Sequence, residues 1–281
     1  MRKIIQATFI LFILLLTACS SARLIYTFID KFIEDEISYF LDLNDEQKLL
    51  LSGQVDEMIT WHRKSMMPSY ATYLNNIADN LEMKHYNSTT ITEAIMNGQI
   101  LIEETISGLT PFASKFLIQY QTEKSVKFME KRMELRRQKR LDELEKPEIV
   151  LYDKRLSRLI SNFERFFGDL TDAQVILLEG HARTTLGDSR IRLENRTMRQ
   201  KVFINFLRTQ PTEIELITYL NKLLLNGHLI TNPSFHSFSK NSLERFQSLL
   251  ETMLVISLPL QRQTIITKIR NYAEDFKAVS G

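Results

Sequence analysis

The stretch FLDLNDEQ, residues 40–47, combines the end of an apolar run with a signal for the start of a helix. Asn44 is a preferred N-cap residue, and Gln47 follows three positions later, so the two can form a capping box. Apolar residues then recur at helical spacing. A capping residue followed three positions later by Glu or Gln also occurs at residues 90–93, 171–174 and 241–244. Alternating strand patterns do not occur in the sequence, which therefore predicts an all-α protein.

A second copy of this stretch lies further along the chain. FGDLTDAQ, residues 167–174, matches FLDLNDEQ at an offset of 127 residues. Downstream of each copy, NGQIL at residues 97–101 matches NGHLI at residues 226–230. These matches predict an internal duplication of helical units, over residues 28–109 and 155–232.

The remaining segments complete an elongated multi-helix bundle. Thr110 and Pro111 resemble an N-cap followed by proline at the first helical position, which predicts one long charged helix over residues 111–145. Residues 241–277 are expected to form C-terminal helices, separated near Pro259 because proline interrupts a helix. Only eight glycines and six prolines occur in the 281 residues, which favours helices joined by short loops.

The N-terminus has the features of a secretory signal peptide, over residues 1–18. Arg2 and Lys3 precede an apolar run over residues 4–16, and small residues follow. This run is shorter than the ~20 apolar residues of a membrane-spanning helix. Residues 16–19, LTAC, contain the only cysteine of the chain. A folded body without cysteine can form no internal disulfide, so this sulfur is interpreted as an attachment point.

The LTAC stretch resembles the bacterial lipobox. The resemblance implies cleavage before Cys19 and attachment of lipid, palmitate included, to the new N-terminus. It further implies an outer-membrane destination on the periplasmic face, because Ser20 stands where an aspartate would retain the protein in the inner membrane. Residues 19–27 would then form the acylated N-terminus and a short tether, and residues 28–281 the helical domain.

Composition and motif spacing argue against several functions. The chain has 36 basic and 34 acidic side chains, and Arg2 and Lys3 account for the excess, so a dedicated nucleic-acid binder is disfavoured. No nucleophile elbow, HExxH sequence, phosphate loop or dinucleotide fingerprint occurs. We therefore predict no enzyme, no catalytic residue, no cofactor and no metal site. Paired aspartates at 42 and 45 and at 169 and 172 could serve acid–base chemistry on glycans, but the helix dipole explains them more simply.

Charge is distributed unevenly along the chain. Residues 124–140 have eight basic side chains against two acidic ones, residues 183–201 have six against two, and residues 30–57 have nine acidic against two basic. Two readings remain open. The helices could pair with one another, or a basic surface could meet an anionic partner, either a phospholipid headgroup or an envelope protein. The candidate residues for this surface are Lys131, Arg132, Arg136, Arg137, Arg140, Arg192, Arg196 and Arg199.

Several of these features together resemble a family of bacterial all-helical lipoproteins of unknown function. They are the lipobox, the repeated DLxDxQ motif, the Trp61-His62 pair and the C-terminal LQR and YAEDF sequences. The resemblance implies a fold and an envelope location, but no activity. Residues 170–174, LTDAQ, are also similar to the LTxxQ signature of Spy-type periplasmic proteins. The predicted function is a membrane-anchored periplasmic lipoprotein acting as a structural or protein-interaction module; the alternatives are a Spy-like chaperone or envelope-stress module, and a cell-wall enzyme.

Overall fold

A computed structural model describes residues 21–281, with side chains from residue 25 onward. The predicted signal peptide and Cys19 lie outside the described residues. The predicted all-α class is confirmed, because the regular structure within residues 21–281 is entirely helical. Its helices are α1 Ser21–Phe40, α2 Asp45–Ser65, α3 Met67–Glu82, α4 Ser88–Leu117, α5 Glu123–Leu144, α6 Glu148–Phe167, α7 Asp172–Thr184, α8 Asp188–Leu207, α9 Glu213–Leu225, α10 Ser234–Val255 and α11 Pro259–Ser280. Short 3-10 turns at Ile118–Tyr120 and Gly227–Leu229 connect α4 to α5 and follow α9.

Two of the four predicted capping boxes are present. Asn44 caps α2 together with Gln47, and Thr171 caps α7 together with Gln174. The predictions at residues 90 and 241 were wrong. Asn87 caps α4, because its side chain accepts a hydrogen bond from the Thr90 backbone, and Asn241 lies inside α10.

The predicted single helix over residues 111–145 is wrong. Pro111 lies inside α4, which ends at Leu117, and a new helix begins at Glu123. Proline has no N–H for the carbonyl four residues earlier. The Thr110 hydroxyl instead donates to that carbonyl, on Ser107, at 3.0 Å, so α4 continues through the proline. The true start is at Thr122, whose side chain accepts from the Ser125 backbone at 3.2 Å. The charged helix, α5, therefore has 22 residues.

The C-terminal segment forms two helices, with Pro259 as the first residue of α11. The first of them begins at Ser234 rather than at residue 241. The Asn232 side chain accepts hydrogen bonds from the Ser234 backbone and hydroxyl, so α10 starts directly after the Asn232-Pro233 pair, whose residue types are themselves typical of a helix start.

Two buried clusters form the core. In the first, Leu51 and Phe116 pack with Val126 and Leu207, which joins α2, α4, α5 and α8. In the second, Leu178 packs among residues of α3, α6, α10 and α11. Helices α6 and α7 begin 127 residues after α1 and α2, which is the offset of the sequence repeat. The basic helices α5 and α8 share the first cluster, so their polar faces lie side by side.

Candidate functional site: a basic cleft

Several residues of the predicted basic surface hold helices together. The Arg136 guanidinium bonds both carboxylate oxygens of Glu36, with Nη2 and Oε2 at 3.2 Å, and stacks 4.3 Å from the Tyr39 ring centre. Arg132 lies 4.7 Å from the same ring. These contacts connect α5 to the C-terminal end of α1. Both arginines therefore have structural partners inside the protein.

Two further predicted residues have partners inside the protein. Arg137 is paired with Glu134 on its own helix at 2.8 Å. Arg199 is half-buried and donates to the backbone carbonyls of Leu223 and Leu224, at 2.5 Å and 3.2 Å. Burial lowers the pKa of Arg199, and the charge of nearby Arg196 acts in the same direction. Arg199 thus closes the C-terminal end of α9, where carbonyl groups lack helical partners.

The remaining arginines of the prediction converge on one cavity. Arg140 of α5 and Arg192 and Arg196 of α8 line a cavity of about 260 Å³. Helix α6 completes it with basic residues that the sequence prediction missed. We call this cavity the basic cleft, and its basic residues are Arg140, Lys154, Arg155, Arg158, Arg192 and Arg196. Glu143 is the one acidic residue among those that line it.

The inner wall of the basic cleft is built around Arg155. Its Nε donates to the Thr185 hydroxyl at 2.7 Å, and that buried hydroxyl donates to the His181 carbonyl at 2.5 Å. Burial lowers the pKa of Arg155; the charges of Arg158, Arg192 and Arg245 add to this effect, whereas Asp188 opposes it. Three arginines and one carboxylate therefore lie close enough to the Arg155 guanidinium to affect it.

Carboxylates near the cleft neutralise only part of this charge. Glu143 bonds Lys146 at 2.8 Å and Lys154 at 2.7 Å, and these contacts lower its pKa to about 2. Asp188 is buried and paired with Arg245 at 3.0 Å. Within residues 25–281, no carboxylate forms an ion pair with the four remaining cleft arginines. They are Arg140, Arg158, Arg192 and Arg196, all of which are exposed.

The predicted aromatic pair, Trp61 and His62, lies elsewhere. His62 Nδ1 lies 2.5 Å from the Tyr26 hydroxyl, and Nε2 lies 3.4 Å from that of Tyr70. Burial lowers the pKa of His62. Trp61 packs so closely on α4 that a side chain at Gly108 would clash with its ring. The contacts of this pair are those of a packed interior.

The LTDAQ segment also has a structural role. Thr171 caps α7, and the buried Gln174 amide exchanges hydrogen bonds with the Gln261 amide at 3.0 Å and 2.8 Å. Of the paired aspartates, Asp42 lies 3.8 Å from Lys124 and Asp45 lies 3.5 Å from Lys48. No group of three potential metal ligands occurs among the side chains that the structure describes. Over residues 21–281, no helix is both long and apolar enough to span a bilayer.

The sequence matches a known protein family. A family model covers residues 39–230, more than half of the chain. The chain belongs to DUF6279, a family of unknown function. No curated protein and no solved structure matches the chain. The matched region includes the basic cleft and both copies of the DLxDxQ motif.

Proposed function

We propose that the protein is a lipid-anchored interaction module of the bacterial cell envelope, held through acylated Cys19 at the periplasmic face of the outer membrane. The observation that supports a binding role is the convergence of Arg140, Arg192 and Arg196 from two separate sequence segments into one cleft. Arg192 donates to the Ser242 hydroxyl at 2.6 Å, but none of the three has a carboxylate partner among the described residues, and the repulsion between their like charges opposes this arrangement. A ligand with negative charge would compensate it.

The chemistry of the cleft favours a polyvalent anion, such as a phosphate-bearing group. Arginine forks bind phosphate and carboxylate oxygens through two parallel hydrogen bonds. Six basic side chains against one carboxylate exceed what a single monovalent carboxylate would balance. The cavity of about 260 Å³ suits a small group that protrudes from a partner better than it suits a flat surface. We assign the cleft to a phosphate group carried by an envelope component.

Site-specific photo-crosslinking in living cells tests this assignment. A photoreactive side chain replaces Ser189, which lines the cleft, or Lys131, which is exposed on α5 outside it. We expect an adduct from position 189 that disappears when Arg140→Glu and Arg196→Glu are introduced together. The position-131 probe serves as the matched control. The same adducts from both positions, or an adduct that persists when both charges are reversed, would contradict the proposal. An adduct with an acidic protein that carries no phosphate would contradict the assignment of the cleft to phosphate.

The anchor is tested separately by the intact mass of the protein purified from bacterial membranes. We expect a chain that begins at Cys19 and carries the mass of a diacylglyceryl group and an additional acyl chain. Two or more acyl chains give lasting attachment, at ~0.8 kcal/mol per buried methylene. A free thiol on Cys19 or an uncleaved leader would remove the anchoring part of the proposal.

A further inference from the structure

Helix α1 has one wide apolar face, and only part of it is covered by the protein. Ile29, Ile33 and Ile37 pack against the first core cluster. Beside this packed face, on the flank of the helix that the body leaves open, Ile25, Phe28 and Phe32 are 57%, 61% and 65% exposed. Large apolar side chains scattered singly on a surface are ordinary, but these three are spaced at helical intervals. They form a continuous stripe, which we call the outer stripe of α1.

The outer stripe occupies the part of α1 nearest to Cys19. Ile25 follows Cys19 by six residues in the sequence, and residues 21–25 already belong to α1. Charged side chains occur beyond the stripe, where Lys31 and Asp35 form an exposed ion pair at 3.0 Å. The order along this side of the helix is therefore an apolar region close to the anchor, followed by a charged region further away.

We propose that α1 lies in the membrane interface, with the outer stripe inserted at the boundary between headgroups and acyl chains. The inference rests on the proposed acylation of Cys19 and says how the acylated protein sits on the bilayer. A helix of this kind buries its apolar face ~5–10 Å into the interface. The inner face of α1 is fixed to the body, so the contact orients the whole helical domain against the leaflet. A lipid surface is the favoured occupant because Cys19, the residue proposed to carry the acyl chains, lies two positions before the first residue of the helix.

The test is electron paramagnetic resonance on the full-length acylated protein in vesicles of phosphatidylethanolamine and phosphatidylglycerol. Because acylation occupies the only native cysteine, an engineered cysteine gives a single labelled position. The variant Phe28→Cys places a nitroxide on the outer stripe. Asp35→Cys serves as a control on the same helix, and Ile214→Cys as a control at an apolar residue of α9 that is 77% exposed. All three positions are exposed, so labelling leaves the core intact.

We expect the label at position 28 to be several-fold more accessible to oxygen than to a water-soluble nickel complex, relative to the label at position 214. The label at position 35 should behave like that at position 214. Equal nickel accessibility at all three positions, in protein that floats with the vesicles, would overturn the inference and leave the anchor standing. Spin–spin broadening at position 28 would also overturn it, because a second copy would then cover the stripe. Loss of flotation would overturn the anchor and the inference together.

Discussion

The corner between α1 and α2 and the corner between α6 and α7 have the same local hydrogen bonds. Asn44 accepts from the Gln47 backbone at 2.9 Å, and Thr171 accepts from the Gln174 backbone at 3.4 Å. In the second corner, Gln174 is buried and bonded to Gln261 of α11. In the first corner, Gln47 is only partly buried, and its side chain bonds the Asn44 backbone.

The first corner is secured to the body by a different kind of contact. Arg136 of α5 bonds Glu36 and stacks on Tyr39, and Lys124 lies near Asp42. These contacts are partly exposed, whereas the amide pair of the second corner is inaccessible to solvent. A repeated capping motif therefore specifies a helix start, while the residues around it determine how that start is attached to the rest of the protein.

The largest expected effect is the loss of the buried amide pair. Gln174→Leu keeps a similar volume but removes both hydrogen bonds of the amide pair, which costs about 1–3 kcal/mol, and it also removes the capping bond to Thr171, worth about 1 kcal/mol. Gln261 then keeps only its bonds to the Leu258 N–H and the Asp169 carbonyl. Gln47→Leu should cost no more than about 1 kcal/mol, because water can replace its contacts. Urea unfolding at pH 7 measures both. Equal losses would show that the corners are attached alike.

The double variant Gln174→Leu/Gln261→Leu is the control for that prediction. Each single variant already removes both hydrogen bonds between the two amides, and the double variant cannot lose them a second time. The double variant should therefore lose less stability than the two single variants added together. Additive losses would mean that the two amides do not depend on each other.

Reversal of charge at the first corner should have an intermediate effect. Arg136→Glu removes an ion pair and a contact with an aromatic ring, and it places a carboxylate beside Glu36, for an expected loss of about 1–2 kcal/mol. Lys131→Glu, at an exposed position of the same helix, is the matched control and should leave stability unchanged. Raising the salt concentration should reduce the difference between these variants, because exposed charges are screened. A loss that is insensitive to salt would indicate that packing dominates this corner.

The smallest expected effect concerns one histidine in each half. Burial lowers the pKa of His62 and of His181 below 6.5, and Arg155 and Arg245 lower that of His181 further. The folded state therefore favours the neutral rings. Their contribution to stability is complete above pH 6.5 and decreases as the pH falls from 6.5 through the folded-state pKa values.

Nuclear magnetic resonance titration of the two imidazoles separates their causes. Added salt should raise the pKa of His181 more than that of His62, because only His181 is subject to charge repulsion from arginines. Equal responses would show that burial alone sets both values.

Much of the fold could be predicted from short-range patterns. The helix starts at Asn44 and Thr171 were predictable because a capping box lies within four residues of sequence. The continuation of α4 through Pro111 was not, because it depends on the Thr110 hydroxyl replacing the missing donor. Thr110-Pro111 and a true helix start share the same residue types, and only the bond to Ser107 distinguishes them.

The candidate site was predictable in part for the same reason. The basic stretches around Arg140 and Arg196 are visible in the sequence, but their convergence depends on the packing of α5 beside α8. The predicted basic surface did not include Arg155 and Arg158, because acidic and basic residues are mixed in their helix, α6. The structural role of Arg132 and Arg136 was not predictable either, because their aromatic partner, Tyr39, lies about a hundred residues earlier in the chain.

We propose that Arg140 and Arg196 of the basic cleft serve a phosphate-bearing ligand and are not needed for folding. The most direct measurement is the free energy of unfolding of three proteins, each with and without pyrophosphate as the probe. They are the wild type, Arg140→Glu/Arg196→Glu, and the control Lys131→Glu/Lys139→Glu, in which both lysines are exposed outside the cleft. Without the probe, the cleft variant should be at least as stable as the wild type, because like-charge repulsion is relieved. With the probe at a hundred times its dissociation constant, the wild type and the control should gain about 2.7 kcal/mol, and the cleft variant should gain none. A cleft variant that is less stable than the wild type, or a wild type that gains nothing from pyrophosphate, would contradict the account.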